Sequence, residues 1–116
     1  MRNDKENIIV NKTIDSSLSI IKYCENLEQA RKYVIARQLL RSATAIGANV
    51  FEAQNAESKA DFIHKMKIAA KEVSETIYWL ILCERSEGYQ FNMIMKNDLG
   101  EINKLLSKII SSSKAK

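Results

Sequence analysis

Not one proline interrupts this 116-residue chain, and glycine occurs only three times. Those two residues supply most of the tight turns that a β sandwich or barrel needs. A chain this poor in both is suited to long, unbroken helices. The apolar residues agree, because they recur at helical spacing and nowhere alternate as a strand would.

That spacing predicts four helices. The first spans about 6–26, with Val10, Ile14, Leu18 and Ile21 as its stripe and Asn26 as its stop. The second spans about 33–54, with Ile35, Leu39, Ile46 and Val50 on one face. Its segment 42–48 is rich in small residues. Gly47 in mid-helix costs ~0.5–1 kcal/mol relative to Ala, which a close helix crossing would offset. The third spans about 59–87, with Phe62, Met66, Ala69, Val73, Ile77, Leu80 and Ile81 as its stripe. Ser58-Lys59-Ala60-Asp61 has the form of a capping box with Asp in place of Glu, and Gly88 suits a left-handed residue past the end. The fourth spans about 91–110 through Met95, Leu99, Ile102, Leu106 and Ile109, leaving 111–116 as a frayed polar tail. The predicted fold is all-α, a single domain over 1–116 arranged as an antiparallel up-down-up-down four-helix bundle. A three-helix array with the first two helices fused is the alternative.

Apolar residues at 46% and charged residues at 28% describe a globular chain, neither disordered nor membrane-like. No apolar run approaches the roughly 18 residues of a membrane span, and no signal peptide opens the sequence. A cytoplasmic protein with no membrane partner is expected. Cys24 and Cys83 are too few for a disulfide framework and read as free thiols. The net charge of +4 is uneven: residues 29–56 and 89–116 each sum to +3, while 1–28 and 57–88 each sum to −1.

One stretch is more apolar than a lone bundle requires. Ile77-Tyr78-Trp79-Leu80-Ile81-Leu82-Cys83 presents apolar groups on every side of a helix, since successive residues turn by about 100°. A helix that is apolar all round is usually buried all round. The run predicts a second apolar contact, most simply between copies of the chain, with Tyr78, Trp79 and Leu82 as candidate interface residues. The plainer reading leaves Tyr78 and Trp79 as partly exposed surface aromatics.

Polar residues also sit inside the apolar pattern. Asn49 and Glu52 lie one turn apart, as do Glu72 and Glu75, and Arg37 and Arg41. Between helices such groups must pair, so Arg41 or Arg37 is expected to meet a carboxylate of the third helix or of a neighbouring subunit. A satisfied network of Asn49, Glu52, Glu72 and Glu75 that fixes helix register is favoured over a ligand pocket. Nothing catalytic is readable. A di-iron bundle needs two Glu-x-x-His motifs, and the chain has one histidine, His64. Zinc-ligand spacing, a nucleophile triad and a phosphate-cradling loop are likewise missing. No enzyme activity, metal or cofactor is expected, and His64 reads as a surface or cap residue.

Nucleic acid is the partner class that the charges suggest. Arg31, Lys32, Arg37 and Arg41 gather at the second helix, and Lys104, Lys108, Lys114 and Lys116 at the end. Arg37, Arg41, Lys104 and Lys108 are the candidate phosphate contacts. Tyr33 and Tyr89 are the spare aromatics for base stacking. A protein-interaction scaffold with no nucleic-acid partner is the competing reading.

The run 41–53 (RSATAIGANVFEA), followed by 57–66 (ESKADFIHKM) and 68–80 (IAAKEVSETIYWL), resembles the bacterial four-helix bundle family known from open reading frames inside intervening sequences of 23S ribosomal RNA genes. The Asn49/Glu52 step and the Ala69/Glu72/Glu75 step carry most of the likeness. Many members have Gly after the first Glu, where this chain has Ala53, so a flexible exit from the second helix is not expected here. The resemblance implies an antiparallel bundle assembling as a ring, a homopentamer, and supplies no reaction. A looser similarity links that family to basic pentameric accessory proteins of diversity-generating retroelements, which bind nucleic acid and a reverse transcriptase. By analogy this implies an RNA or DNA partner.

Overall fold

The computed structural model describes residues 7–115, which form four helices and no strand. Each helix starts or stops where the local sequence can satisfy its loose backbone groups. Asn7 accepts the Val10 N–H at 3.3 Å and opens α1 (Ile8–Gln29). α1 then runs past Asn26 and closes without glycine. Arg31 adopts a left-handed backbone, φ 65°. The N–H groups of Arg31 and Lys32 donate to the Glu28 and Leu27 carbonyls at 2.9 and 2.8 Å. These are the two bonds of a Schellman closure, usually built on Gly. An arginine in that role explains why the spacing places the stop too early.

α2 spans Tyr33–Ala53 and α3 spans Lys59–Arg85, each slightly shorter than expected. Ser58 accepts the Asp61 N–H at 3.0 Å, as the capping motif predicts. Asp61 reaches back to the Glu57 N–H at 3.2 Å rather than to Ser58, so the box is wider than its usual form. Gly88 does take the left-handed region, φ 81°, two residues beyond the Ser86 cap. α4 spans Met93–Ala115. The expected polar tail at 111–115 is therefore helical: no breaker follows Ile110, and the Ser113 hydroxyl donates to the Ile109 carbonyl at 2.8 Å. Glu6 and Lys116, at the ends of the expected first helix and tail, lie outside the described residues.

Each helix packs on its neighbours in sequence, and α4 returns against α1; no Cα of α1 lies within 8 Å of α3, nor of α2 within 8 Å of α4. Side-chain cross-links join the neighbouring helices at defined points. Asn7 at the start of α1 donates to Gln54 just past the end of α2, at 2.9 Å. Arg41 of α2 pairs with Glu75 of α3, whereas Glu52 further along α2 pairs with the earlier Lys65. The result is a rod of 48 × 22 × 21 Å. Leu39, Ile46, Val50, Met66, Ala69, Val73, Leu80, Met95, Leu99, Ile102 and Leu106 are buried as their spacing predicts. Two buried hydroxyls cross the core wall, with Thr76 Oγ1 and Ser42 Oγ 2.8 Å apart. Each also finds a carbonyl of its own helix, so neither is orphaned.

The α1 stripe is the main correction. Val10 is buried, but Ile14 is exposed and Leu18 is 60% exposed. The buried face is instead Ile9, Val10, Thr13, Ser16, Ile20, Cys24 and Leu27. Thr13 and Ser16 are the polar residues of the inward face, and Thr13 hides its polarity in its own helix: its Oγ1 donates among the Ile9 and Val10 carbonyls at 3.0 and 2.9 Å. At Gly47 an added methyl would sit 3.4 Å from Ser17 Oγ and 3.5 Å from Thr13 Cβ, so α1 and α2 do cross closely there.

Gly100 has no such duty. Nothing lies within 4 Å of a methyl placed on it, and its backbone is ordinary helix. Gly100→Ala is expected to stabilise the protein by ~0.5–1 kcal/mol, read as a rise of roughly 2–4 °C in the thermal midpoint by circular dichroism.

Candidate nucleic-acid interface

The four expected phosphate contacts do not share a surface. Arg37 and Arg41 lie on α2 and Lys104 and Lys108 on α4, and no Cα of one helix comes within 8 Å of the other. Arg41 is already engaged. It pairs with Glu75 and stands 3.8 Å from Glu72, which is the α3 carboxylate partnership expected of it. Arg37 is exposed, with its Nε 3.5 Å from the Tyr33 carbonyl of its own helix.

The expected polar network is also divided. Glu75 accepts the Trp79 indole N–H at 3.0 Å and, with Glu72, brackets Arg41. Asn49 instead donates to the Ala45 carbonyl at 2.9 Å, and Glu52 pairs with Lys65 at 3.5 Å. One Glu72 oxygen is buried with no hydrogen bond, held only by the nearby guanidinium. Among the described residues no three His, Cys, Asp or Glu side chains come together as a metal would require. His64 is exposed.

Lys104 and Lys108, both exposed, have other companions. The first half of α3 lies beside the second half of α4, where the two line one groove. Residues 59–71 contribute four lysines against Asp61, and no acidic residue follows Glu101 in α4. Lys59 and Lys108 flank a groove of about 540 Å³ floored by Phe62, Leu105 and Ile109, with Ser112 and Ser113 on its wall. The Lys67 ammonium lies near Lys114, and its donor group and positive charge lower the Lys114 pKa. Among the described residues no carboxylate forms an ion pair with Lys67, Lys104, Lys108 or Lys114. Two ammonium groups brought together without a counter-charge form a ready seat for a phosphate oxygen.

Lys59, Lys67 and Lys71 are absent from the sequence-based candidates because the −1 sum over 57–88 conceals them. Glu72, Glu75, Glu84 and Glu87 in the second half of that segment cancel lysines in the first half. The spare aromatics lie at the opposite end of the rod. Tyr89 sits beneath the Lys32 ammonium at 4.9 Å, and Tyr33 opens α2, so neither is placed to stack a base held at the lysines.

The expected self-association residues are partly available. Tyr78 is 54% exposed, while Trp79 and Leu82 are half-buried, with the Tyr78 and Trp79 rings edge-to-face at 5.3 Å. A second apolar surface was not expected from the sequence. Ile14, Leu18, Thr44, Gly47 and Phe51 line an open groove of about 490 Å³ between α1 and α2.

The two thiols are sealed. Cys24 on α1 and Cys83 on α3 are both buried and free. With no α1–α3 Cα pair inside 8 Å, they exceed the roughly 4.4–6.8 Å span of a disulfide. Burial, then the charges of Cys83 and Glu28, pushes the Cys24 thiol up to about 12. Burial also raises Cys83, while its hydrogen bond with Tyr23 acts the other way.

Among curated proteins, none matches the chain. A crystal structure of a protein with unknown function from the S23 ribosomal protein family of Bacteroides thetaiotaomicron VPI-5482 is similar to it, at 43% identity and a TM-score of 0.84 over 88% of this chain and 97% of that one. The family described as 23S rRNA-intervening sequence protein matches residues 5–111, nearly the whole chain. This chain therefore belongs to the 23S rRNA-intervening sequence protein family.

Proposed function

We propose that this up-down-up-down bundle is a non-enzymatic, homo-oligomeric protein of the cytoplasm that associates with nucleic acid or a ribonucleoprotein. The lysine strip of α3 and α4 carries the reading. Lys67 lies near Lys114, Lys59 and Lys108 flank the adjoining groove, and among the described residues no carboxylate pairs with Lys67, Lys108 or Lys114. Such a strip suits the phosphate backbone. With Tyr33 and Tyr89 at the far end of the rod, it suits structured RNA or duplex DNA better than a stacked single strand. Assembly of several copies would repeat the strip and multiply its contacts.

Filter binding to a structured RNA and to single-stranded DNA, repeated across salt, tests this. Retention is expected at about 50 mM salt and should fall steeply as salt rises, because the affinity comes from counterion release. Lys67→Glu with Lys108→Glu should weaken retention at least ~10-fold, and Arg37→Glu should change it by less than ~3-fold. Absence of retention at about 50 mM salt, where electrostatic affinity is greatest, would overturn the proposal. The scaffold reading is favoured by a different observation, the apolar groove between α1 and α2. A defined protein partner that survives nuclease treatment would support it.

A further inference from the structure

We infer that the groove between α3 and α4 seats one unpaired nucleotide of a structured RNA, with its base on the Phe62, Leu105 and Ile109 floor and its phosphates on the lysines alongside. The inference rests on the proposed nucleic-acid association and names the feature of the nucleic acid that this surface selects.

Phosphate alone does not account for the groove. Phosphate oxygens are met by cations and hydrogen-bond donors, and an apolar floor offers them nothing. Phe62, Leu105 and Ile109 are half-buried: they pack against the core on one side and line the groove on the other. Phe62 is held in the capped first turn of α3, where its N–H donates to the Ser58 carbonyl at 3.0 Å. Leu105, Ile109 and Ser112 follow one another at steps of four and three, so they share one face of α4. That face is about 10 Å long at the helical rise per residue.

Three kinds of surface meet there. Lys59 and Lys108 flank the groove, and Lys104 stands one turn before Lys108. Phe62 is the one ring among the lining residues. On the wall, the Ser113 hydroxyl is committed to the Ile109 carbonyl at 2.8 Å, whereas Ser112 is exposed and can meet a polar base edge. An unstacked nucleotide carries all three complements: a negative phosphate, a flat apolar face and a polar edge. An aliphatic carboxylate has one charge and no flat face, and it leaves the rest of the lysine strip unmatched. Acid is kept out of the groove. Asp61, in the same turn as Phe62, accepts the Glu57 N–H at 3.2 Å and does not line it.

Another aromatic hollow, of about 580 Å³, lies among Tyr23, Tyr89 and Phe91 at the opposite end of the rod. The one ammonium that lines it, Lys32, already rests over the Tyr89 ring, so no strip of cations is there to hold a backbone. The α3/α4 groove instead opens beside the strip that suits a duplex backbone. The feature it selects is therefore a single base bulged out of a helix.

Fluorescence titration with the full chain at about 50 mM salt tests the assignment. Two RNA hairpins of one stem sequence carry 2-aminopurine, as a single-nucleotide bulge in one and paired with uridine in the other. The bulged hairpin should bind about 10-fold more tightly, and only its reporter should change emission on binding. Phe62→Leu keeps an apolar side chain but removes the flat ring, and should cut the preference to less than ~3-fold. Ser112→Leu provides the second test if that variant unfolds. Its position is exposed, the added side chain fills the groove, and the same loss of preference is expected. A preference that survives both substitutions, or saturable decanoate binding that the bulged hairpin fails to displace, would overturn the inference. Equal affinity of the native chain for the two hairpins would defeat this inference alone and leave phosphate association standing. Binding to neither at about 50 mM salt would defeat the nucleic-acid reading, and this inference with it.

Discussion

Leu80→Ala is expected to lower the stability of the protein by about 3 kcal/mol, and the thermal midpoint by on the order of 10 °C. Leu80 is fully buried in the last third of α3, within the core shared by all four helices. Truncation removes apolar contact and leaves a cavity that the neighbouring helices cannot close without moving together. Its position inside the apolar run 77–83 sharpens the test, because the run contains both kinds of residue. Tyr78→Ala, on the exposed side, should cost less than ~0.5 kcal/mol under conditions where the protein is dispersed. Urea unfolding of the two variants separates them. Equal losses would mean that Tyr78 is as deeply packed as Leu80.

The second large effect is an alkaline weakening of the fold. In the unfolded chain the Cys24 thiol ionises near its ordinary value of 9.0, whereas in the fold burial first, and then nearby negative charge, holds it protonated up to about 12. The fold excludes the thiolate, so its stabilising contribution is complete below pH 9. It is lost as pH rises toward 12, by roughly 1.4 kcal/mol per pH unit. At about pH 10.5 Cys24 alone should cost about 2 kcal/mol. Cys83 is raised by burial as well and acts in the same direction. The urea midpoint should stay level from about pH 7 to 9 and then drop. Cys24→Ala should flatten part of that drop even if the variant starts from a lower stability. An unchanged slope in Cys24→Ala would show that the thiol is not the group responsible.

Three of the four buried stripes are legible in the sequence. α2, α3 and α4 each bury most of the residues that their spacing marks, with Ile35, Phe62, Ile77, Ile81 and Ile109 half-buried, because on those helices the inward stripe is also the most apolar one. α1 breaks that equivalence. Ile14 and Leu18 of its marked stripe face outward, and its inward face includes Ser16 and Thr13, whose hydroxyl bonds to the helix backbone. Periodicity reports that a stripe exists and cannot say whether protein or water covers it. The Asn26 stop fails for a related reason: the real closure at Arg31 is a backbone geometry that carries no glycine to announce it. The serine-rich end of α4 carries no breaker at all, and its helix simply continues.

The site divides in the same way. Arg41 meeting an α3 carboxylate follows from charge and spacing, since an arginine facing another helix needs a partner. The separation of Arg37 and Arg41 from Lys104 and Lys108 does not follow, because it depends on α2 and α4 lying at opposite corners. The lysine strip is invisible to a net charge taken over 57–88, where the acidic second half of α3 cancels the basic first half.

Helix number, helix spacing and most of the buried residues were already written in the order of amino acids, because a helix is a local structure whose periodicity needs no distant partner. Which helices are neighbours, which of two apolar stripes is covered, and which lysines gather were decided only on folding. Those properties depend on distances between residues far apart in the chain, such as Lys67 and Lys114 or Leu18 and Gly47, and only the packed rod sets such distances.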